Sequence, residues 1–251
     1  MKRVRLDPDD RLPLLTVRAG DLPARFVVVG DPARAAAVAD RLDGAEELGH
    51  NREYVVYRGR HDEVDVGVAS HGVGAAGAAV CFEELCRAGV GRIIRAGTTG
   101  GLQPDVRDGD LAVATAAVRD EGFTRHVVPE SYPAVASHRV VAGLLAASQS
   151  SGRRVHEGIV LTTDLFYPHP VLGADLPRWQ AAGVVAVEME CAALFVVAAQ
   201  HEVEAGAVLA VDGNPLLEGD DTMTQYDPYR EVVRNAVDAA IDVALIALTS
   251  R

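Results

Sequence analysis

The chain has 251 residues, a hydrophobic fraction of 49% with only 5% aromatic residues, and a formal net charge of −12. This length and composition suit one large α/β domain whose core is built from Ala, Val and Leu. The acidic excess argues against nucleic acid or an anionic membrane surface as the main partner.

In the first half of the chain, apolar β-branched runs alternate with helical stretches. The pattern predicts strands at Phe26–Val29, Tyr54–Arg60, Val64–Ser70, Arg92–Ala96 and Gly109–Arg119, and helices at Pro32–Arg41 and Gly74–Ala88. Pro32 favours a helix start because proline suits the first helical position.

The second half continues the alternation. It predicts helices at Ser137–Ser151, Glu188–His201 and Tyr226–Leu248, and strands at Val155–Leu161, Gly183–Val187 and Gly206–Val211. No linker divides the chain, so residues 1–251 are expected to form a single domain. The fold class predicted is α/β, a three-layer αβα sandwich with a central mixed, twisted sheet.

The segment Arg95–Gly100 (RAGTTG) follows the apolar run that ends at Ile94 and is the most informative stretch of the chain. Glycines let backbone N–H groups approach an oxyanion, a guanidinium grips it with two charge-assisted bonds, and Thr98 or Thr99 adds a hydroxyl. The segment therefore predicts an anion site at a strand end.

Two further arginines, Arg34 and Arg52, lie near Gly30-Asp31-Pro32 and just before the strand that starts at Tyr54. Together with Arg95 they could converge on one small dianion, where charge-assisted hydrogen bonds are strong. The alternative is three unrelated surface arginines, and the spacing does not decide between them.

Acidic residues also stand at strand ends. Glu188 and Glu190 flank Met189 at a strand-to-helix junction, where a carboxylate could accept both hydroxyls of a ribose diol or simply compensate the helix dipole. Asp212 ends another strand and could act as a general acid if burial raises its pKa, or form an ordinary Asp-Gly turn.

The glycine run Gly72–Gly77 formally matches a dinucleotide-binding fingerprint, but the next strand ends in Arg95 rather than an acidic residue that would hold a ribose. Close packing near a ligand is the favoured interpretation. The histidines lack metal-ligand spacing, so no catalytic metal is expected, and His71 and His126 are weak site candidates.

The cysteines Cys81, Cys86 and Cys191 form neither a metal-ligand pair nor a disulfide framework. The N-terminus lacks the apolar core of a signal peptide, and no apolar segment reaches the roughly 18 residues that span a bilayer. A cytoplasmic location without membrane association is expected.

Taken together, these segments resemble the nucleoside phosphorylase-I family, which comprises the hexameric purine nucleoside and uridine phosphorylases. The resemblance runs from about Phe26 to the final helix, and parts of it are most like the purine enzymes of malaria parasites. The motifs that carry it are Gly30-Asp31-Pro32, Asn51-Arg52-Glu53-Tyr54, Ser70-His71-Gly72-Val73-Gly74, Arg95–Gly100, Cys81–Cys86, Asp164–Pro168, Val187–Glu190 and Val211-Asp212-Gly213.

The resemblance implies a role for each matching residue. Inorganic phosphate, a co-substrate rather than a cofactor, would be held by Gly30, Arg34, Arg95 and Thr98, with Arg52 reaching in from a neighbouring subunit of a hexamer built as a trimer of dimers. The nucleoside would be held by Glu190 and Met189 at the ribose and by Phe166 and Glu188 at the base. Asp212 would protonate the purine at N7, and the products would be free base and ribose 1-phosphate.

Substrate choice is where the chain departs from the family. Pro170 and Leu172 stand where uridine phosphorylases place a glutamine and an arginine. Together with Asp212, this departure favours inosine- or guanosine-type nucleosides, whereas the hydroxyl in the segment Arg95–Thr99 resembles the uridine branch. Leu14 stands where a histidine would contact the ribose 5′-hydroxyl, so tolerance of 5′-deoxy or 5′-methylthio nucleosides is expected. Uridine phosphorylase, a 5′-methylthionucleoside phosphorylase, a hydrolytic nucleosidase and a non-catalytic nucleoside-binding protein remain the alternatives.

Overall fold

Ten strands and seven α-helices lie in the part of the chain that the computed structural model describes, residues 5–167, 175–217, 227 and 229–250. The strands are β1 Arg25–Val29, β2 Asp43–Asn51, β3 Tyr54–His61, β4 Val64–Ser70, β5 Arg92–Gly101, β6 Leu111–Asp120, β7 Ala134–Val135, β8 Val155–Thr163, β9 Ala186–Glu188 and β10 Glu204–Gly213. The helices are α1 Pro32–Ala39, α2 Ala75–Arg87, α3 Phe123–Val127, α4 His138–Ser148, α5 Leu176–Ala181, α6 Cys191–His201 and α7 Glu231–Thr249.

The strands form one mixed sheet in the order β10-β6-β8-β9-β5-β1-β4-β3-β2, and β7 pairs with β6. Strand β10 also pairs with β5, so part of the sheet closes on itself. The central strands β4, β1, β5 and β10 run parallel to one another. The predicted α/β sandwich with a central mixed sheet is confirmed, and its parallel centre brings four strand ends to the same edge.

Helices cover the sheet and bury its apolar strands. Helix α1 packs on β1, β3 and β4, helix α7 packs on β1, β5 and β10, and α2 packs on α6. The first eight residues of α6 are all buried, which explains why its sequence is apolar on every side. None of the described helices is long and apolar enough to cross a membrane.

Helix α1 begins where the sequence predicts it. Pro32 occupies its first turn, and the Asp31 carboxylate accepts a hydrogen bond from the Ala33 N–H at 2.9 Å. This side-chain cap satisfies one of the backbone donors that a helix start leaves unpaired. The cap therefore helps to place the helix directly after Gly30, at the edge where β1 ends.

The largest departures from the predicted elements are at β2 and β5. Strand β2 was not predicted because it is an edge strand with mostly exposed, acidic residues and two register shifts, so it lacks apolar alternation. Strand β5 was predicted to stop at Ala96 but continues to Gly101, because β10 pairs along it and β9 pairs with its last two glycines. The segment Arg95–Gly100 therefore lies within a strand and not in a turn.

Smaller differences concern helix ends. The predicted helix at Glu188 starts at Cys191, because residues up to Glu188 belong to β9. The predicted start of the last helix, Tyr226, lies outside the described residues, and α7 begins at Glu231. The short elements α3, β7 and α5 were not predicted, being too short for a periodic pattern.

Candidate active site

The candidate site lies at the edge where the parallel strands end. Strand β1 ends just before Gly30, and β4 ends just before His71. Asp212 lies between the last two residue pairs that β10 forms with β5. Pairing between β1 and β4 extends past their ends, because the His71 N–H donates to the Val29 carbonyl at 2.9 Å. This edge is where α/β folds collect ligands.

Arg95 lies inside β5, opposite Val28 of β1 and Ala207 of β10, and is almost completely buried. Its side chain folds back across Gly97: a Cβ atom at that glycine would lie 1.5 Å from Nη1 of Arg95. Any side chain at position 97 would therefore push the guanidinium out of its place. The glycine of the motif has a specific function here, which is to make room for the arginine.

The Arg95 guanidinium pairs with two buried carboxylates. Its Nη2 donates to Oε2 of Glu190 and lies 3.6 Å from Oε2 of Glu188. Burial lowers the pKa of Arg95, but the Glu190 carboxylate and its neighbours outweigh that effect and raise it above its ordinary value. Its Nε and Nη1, also buried, have no hydrogen-bond partner among the described residues. Two charge-assisted donors therefore await an acceptor in a buried setting.

Glu190 stands at the start of α6 and is held by two donors. Besides Arg95, the Gly74 N–H donates to its Oε1 at 2.6 Å. Gly74 has φ +92°, a backbone conformation that other residues rarely adopt. Burial acts to raise the pKa of Glu190, but the Arg95 charge and these hydrogen bonds lower it, so the group is a carboxylate at neutral pH.

Glu188 is placed differently from Glu190. Both of its oxygens accept hydrogen bonds from the protein itself: the donors are the Thr162 hydroxyl, the Glu190 N–H at 2.7 Å and the Cys191 N–H at 2.9 Å. Burial raises the pKa of Glu188 above its ordinary value. These hydrogen bonds cap the start of α6, and the same carboxylate lies beside the Arg95 guanidinium. The expected contact of Glu188 with a base stays a prediction.

Asp212 lies at an irregularity in β10. The register of β10 against β5 shifts between Val211, which pairs with Thr99, and Gly213, which pairs with Gly100. Such a bulge turns a side chain away from the regular alternation. The Asp212 side chain is buried, and its backbone carbonyl accepts a hydrogen bond from Nη2 of Arg230 at 2.8 Å. A buried acid thus lies near the end of β10, next to the last residues of the segment Arg95–Gly100.

Two candidate threonines are separated by the structure. The Thr99 hydroxyl donates to the Val187 carbonyl at 2.7 Å and so ties β5 to β9. Thr98 is half-buried and, as its neighbour in the strand, faces the opposite way. Of the two, Thr99 has a structural task, and Thr98 remains the predicted phosphate ligand.

Arg34 and Arg52, two further predicted phosphate ligands, differ in burial. Arg34 is half-buried in the first turn of α1, beside Gly30. Arg52 is exposed at the turn between β2 and β3, in a left-handed conformation with φ +56°. A strained exposed arginine in this position agrees with the expectation that it serves a neighbouring subunit, which stays a prediction.

Residues expected to hold the nucleoside lie around the carboxylates and after β8. Met189 is half-buried between two buried glutamates. Phe166 follows β8, is 44% exposed and stacks edge-on against Tyr167 with ring centroids 4.8 Å apart. Pro170 and Leu172, on which the expected base preference rests, lie outside the described residues. His126 is exposed in α3.

Leu14 belongs to a segment that is tied to its own chain. The Glu84 carboxylate accepts hydrogen bonds from the backbone N–H groups of Leu14 at 2.9 Å and Leu15 at 2.8 Å, and the Asn51 amide donates to the Leu14 carbonyl at 2.9 Å. Glu84 lies in the Cys81–Cys86 motif, to which the sequence pattern assigns no function. The motif therefore anchors the N-terminal segment.

Comparisons with known proteins identify the family. The family model described as "Phosphorylase superfamily" matches residues 24–249. The chain belongs to this superfamily. It is 34% identical to a guanosine phosphorylase of Halorubrum lacusprofundi over 95% of this chain and 98% of that one, and 36% identical to a uridine phosphorylase of Treponema pallidum over 93% of each.

Two further comparisons agree. A purine nucleoside phosphorylase of Plasmodium vivax is 39% identical over 77% of this chain and 80% of that one, as the resemblance to malaria enzymes predicted. The crystal structure of purine nucleoside phosphorylase from Toxoplasma gondii in complex with immucillin-H superimposes with a TM-score of 0.89 at 30% identity, covering 97% of each chain. These comparisons support nucleoside phosphorylase activity and divide between purine nucleosides and uridine.

Proposed function

We propose that the enzyme transfers the ribosyl group of purine nucleosides, of the inosine or guanosine type, to inorganic phosphate. The observation that carries this proposal is the buried Arg95 guanidinium, with two unpartnered donors, beside the Glu190 carboxylate and on the same sheet edge as Asp212. An anion site, a diol acceptor and an acid at one edge of the sheet match the three needs of the reaction.

In this reaction a phosphate oxygen attacks C1′ while the bond from C1′ to the base breaks. Arg95 holds phosphate with Gly30, Arg34 and Thr98, and the arginine fork suits tetrahedral oxyanions. Glu190 accepts hydrogen bonds from the ribose hydroxyls, which stabilises the positive charge that develops on the sugar. Met189 packs on the sugar, and Phe166 lies against the base. No cofactor is needed, because the bond that breaks, from C1′ to the base, and the bond that forms, from C1′ to a phosphate oxygen, involve only atoms of the two substrates.

Among the described residues, the one on which the proposed preference for purines rests is Asp212. A purine accepts a proton at N7 as it leaves, whereas uracil has no such nitrogen. A buried carboxyl group at a strand end can supply that proton, and general acid catalysis of this kind contributes about 10²–10⁴-fold to rate. The guanosine and malarial purine relatives support this choice.

The test is a substrate panel. Inosine, guanosine, adenosine, uridine and 5′-methylthioinosine are incubated with the protein, with and without phosphate, and released base is measured. We expect phosphate-dependent release, fastest from inosine or guanosine. Release without phosphate would contradict phosphorolysis, and faster release of uracil would overturn the purine assignment. Leu14 adds the expectation that 5′-methylthioinosine is accepted.

We also propose a cytoplasmic homo-oligomer, a hexamer, in which Arg52 completes the phosphate site of a neighbour. Coexpression of Arg52→Ala and Asp212→Asn chains tests the sharing. Each variant alone lacks one residue in every site, whereas mixed assemblies contain some sites with both residues intact. Activity in the mixture that exceeds the sum of the two variants is expected; no gain in a mixture shown by affinity tags to contain both chains would contradict sharing.

A further inference from the structure

His71 is a buried polar residue to which the proposed mechanism assigns no function. It directly follows β4, its side chain is fully buried, and its ring packs edge-on against Phe82 with centroids 5.3 Å apart. Its Nε2 atom has no hydrogen-bond partner among the described residues. A buried nitrogen without a partner is costly, so a site that keeps one calls for an explanation.

The tautomer of His71 follows from its other nitrogen. Nδ1 lies 2.8 Å from the carbonyl oxygen of Gly72, which can only accept a hydrogen bond. Nδ1 must therefore carry the proton, and in a neutral ring Nε2 then carries a lone pair and no hydrogen. Burial lowers the pKa of His71 to about 4, so the ring is neutral near pH 7. The unpartnered atom is consequently an acceptor that needs a donor.

The ring faces the expected phosphate position. A Cβ atom at Gly30 would lie 3.9 Å from Cε1 of His71, the carbon between the two ring nitrogens, so this edge of the imidazole is turned toward Gly30. The charges of Glu190, Arg95 and Arg34 all act on the ring. Arg95, whose charge acts on the ring, also carries two buried donors without a partner among the described residues.

A ligand that satisfies these groups must accept hydrogen bonds from Arg95 and donate one to His71. Monohydrogen phosphate does both, because it has charged oxygens and one P–OH group. Sulfate has the same shape and charge but no proton near pH 7, so one of its oxygens would face the Nε2 lone pair. A buried acceptor is thus a means of excluding an otherwise isosteric anion.

We propose that His71 is a specificity-determining residue of the phosphate site: its Nε2 accepts a hydrogen bond from the P–OH group of the bound anion, so that the site selects oxyanions that carry a proton. The inference rests on the proposed function and names the form of phosphate that the site takes. Arsenate, which also carries a proton, is accepted, and sulfate is rejected.

The experiment measures the dissociation constants of sodium phosphate, arsenate and sulfate by calorimetry at pH 7 and constant ionic strength. The variants are His71→Leu, which removes the acceptor, and His71→Gln, whose amide oxygen restores one; His138→Leu, an exposed position at the start of α4, is the control. In the wild type we expect phosphate and arsenate to bind at least about tenfold more tightly than sulfate, as loss of one buried hydrogen bond implies.

In His71→Leu, phosphate should weaken about tenfold while sulfate stays equal or tightens, and His71→Gln and His138→Leu should keep the wild-type preference. A purely structural role would weaken both anions equally, so the ratio distinguishes the two. Equal binding of sulfate and phosphate by the wild type would overturn the proposal even if a variant failed to fold. So would an unchanged ratio in His71→Leu, or its loss in His71→Gln.

The failure of this inference is distinguishable from that of the proposed function. Phosphate-dependent base release together with no preference over sulfate would contradict the role of His71 alone. Base release without phosphate, combined with no measurable phosphate binding in the wild type, would contradict both.

Discussion

The two sides of the candidate site are built in different ways. On the side proposed to bind phosphate and ribose, Arg95 within β5, Glu190 just before α6 and His71 just after β4 are all buried. On the side proposed to bind the base, Phe166 and its neighbour Tyr167 follow β8, with exposed fractions of 44% and 88%. The first side is part of the core, whereas these two aromatic residues are on the surface.

This difference fits the comparisons, which agree on the family and divide between purine nucleosides and uridine. Phosphate and ribose are common to purine and pyrimidine nucleosides, so the groups that bind them can be built into the strands that hold the core together. The base varies, and loops accept substitutions that a core does not. Relatives of similar identity to this chain accordingly include both a guanosine and a uridine phosphorylase.

The largest effect is expected for Asp212→Asn, which removes the carboxyl group proposed to protonate the base. The amide cannot supply a proton, so kcat for inosine should fall about 10²–10⁴-fold, while nucleoside affinity changes little. Steady-state kinetics and direct binding of inosine measure the two effects. Asp238→Asn, on the exposed face of α7, is the matched control and should keep wild-type turnover. A kcat within tenfold of wild type would contradict the acid role.

The two glutamates give the sharpest test on the buried side. Both oxygens of Glu188 accept hydrogen bonds, whereas the NH2 group of a glutamine can only donate. In Glu188→Gln one donor therefore loses its acceptor, and the free energy of unfolding should fall by about 1–3 kcal/mol. In Glu190→Gln the ribose loses a charged acceptor, so kcat/KM should fall about tenfold to a hundredfold. Urea unfolding and kinetics on both variants separate the effects. A greater loss of kcat/KM in folded Glu188→Gln would mean that Glu188, not Glu190, contacts the nucleoside.

Gly97→Ala tests whether close packing places Arg95. The new Cβ would overlap Nη1 of Arg95, so the guanidinium must move, and KM for phosphate should rise about tenfold to a hundredfold. KM for inosine should change less. The control is Gly143→Ala in α4, where a Cβ meets nothing closer than 3.9 Å. Equal phosphate KM values in the two variants would show that Arg95 does not depend on Gly97.

The buried side should also make stability depend on pH. His71 has a pKa lowered by burial to about 4 in the folded protein, against 6.5 for an exposed histidine, so below pH 6.5 the unfolded chain binds more protons. Stability is therefore lost as the pH falls from 6.5 toward 4, by about 2 kcal/mol at pH 5. Urea unfolding at pH 7 and pH 5 should show this loss reduced in His71→Leu; the same loss in both proteins would contradict it.

The sequence predicts the buried side better than the rest. Arg95, Glu190 and Asp212 each follow or end an apolar run, so the sequence pattern predicts each of them at or near a strand end. The back-folding of Arg95 across Gly97 could not be predicted, because it depends on a side-chain rotamer. The cap that Glu188 forms with Thr162 likewise depends on the register of β8 and β9, which single-sequence patterns do not contain.

Strand β2 shows a second limit. Its sequence, DGAEELGHN, has no apolar alternation, because an edge strand needs only one hydrogen-bonded neighbour and little burial. The position of Arg52 at its end, and so any contact with a second subunit, therefore depends on an element that the pattern does not reveal. His71 gave only a weak signal, a histidine beside Gly72, because burial and tautomer are properties of the folded chain.

The smallest effect is expected at the surface end of the site. Phe166→Ala removes the proposed aromatic contact with the base, and such a contact is worth about 0.5–1.5 kcal/mol. KM for inosine should therefore rise about threefold to tenfold while KM for phosphate stays constant. Tyr167→Ala is the matched variant, because the two rings are in contact and Tyr167 is the more exposed. If Tyr167→Ala raised the inosine KM more than Phe166→Ala did, the base would pack on Tyr167 instead. A rise in phosphate KM in either variant would break the separation between the two sides.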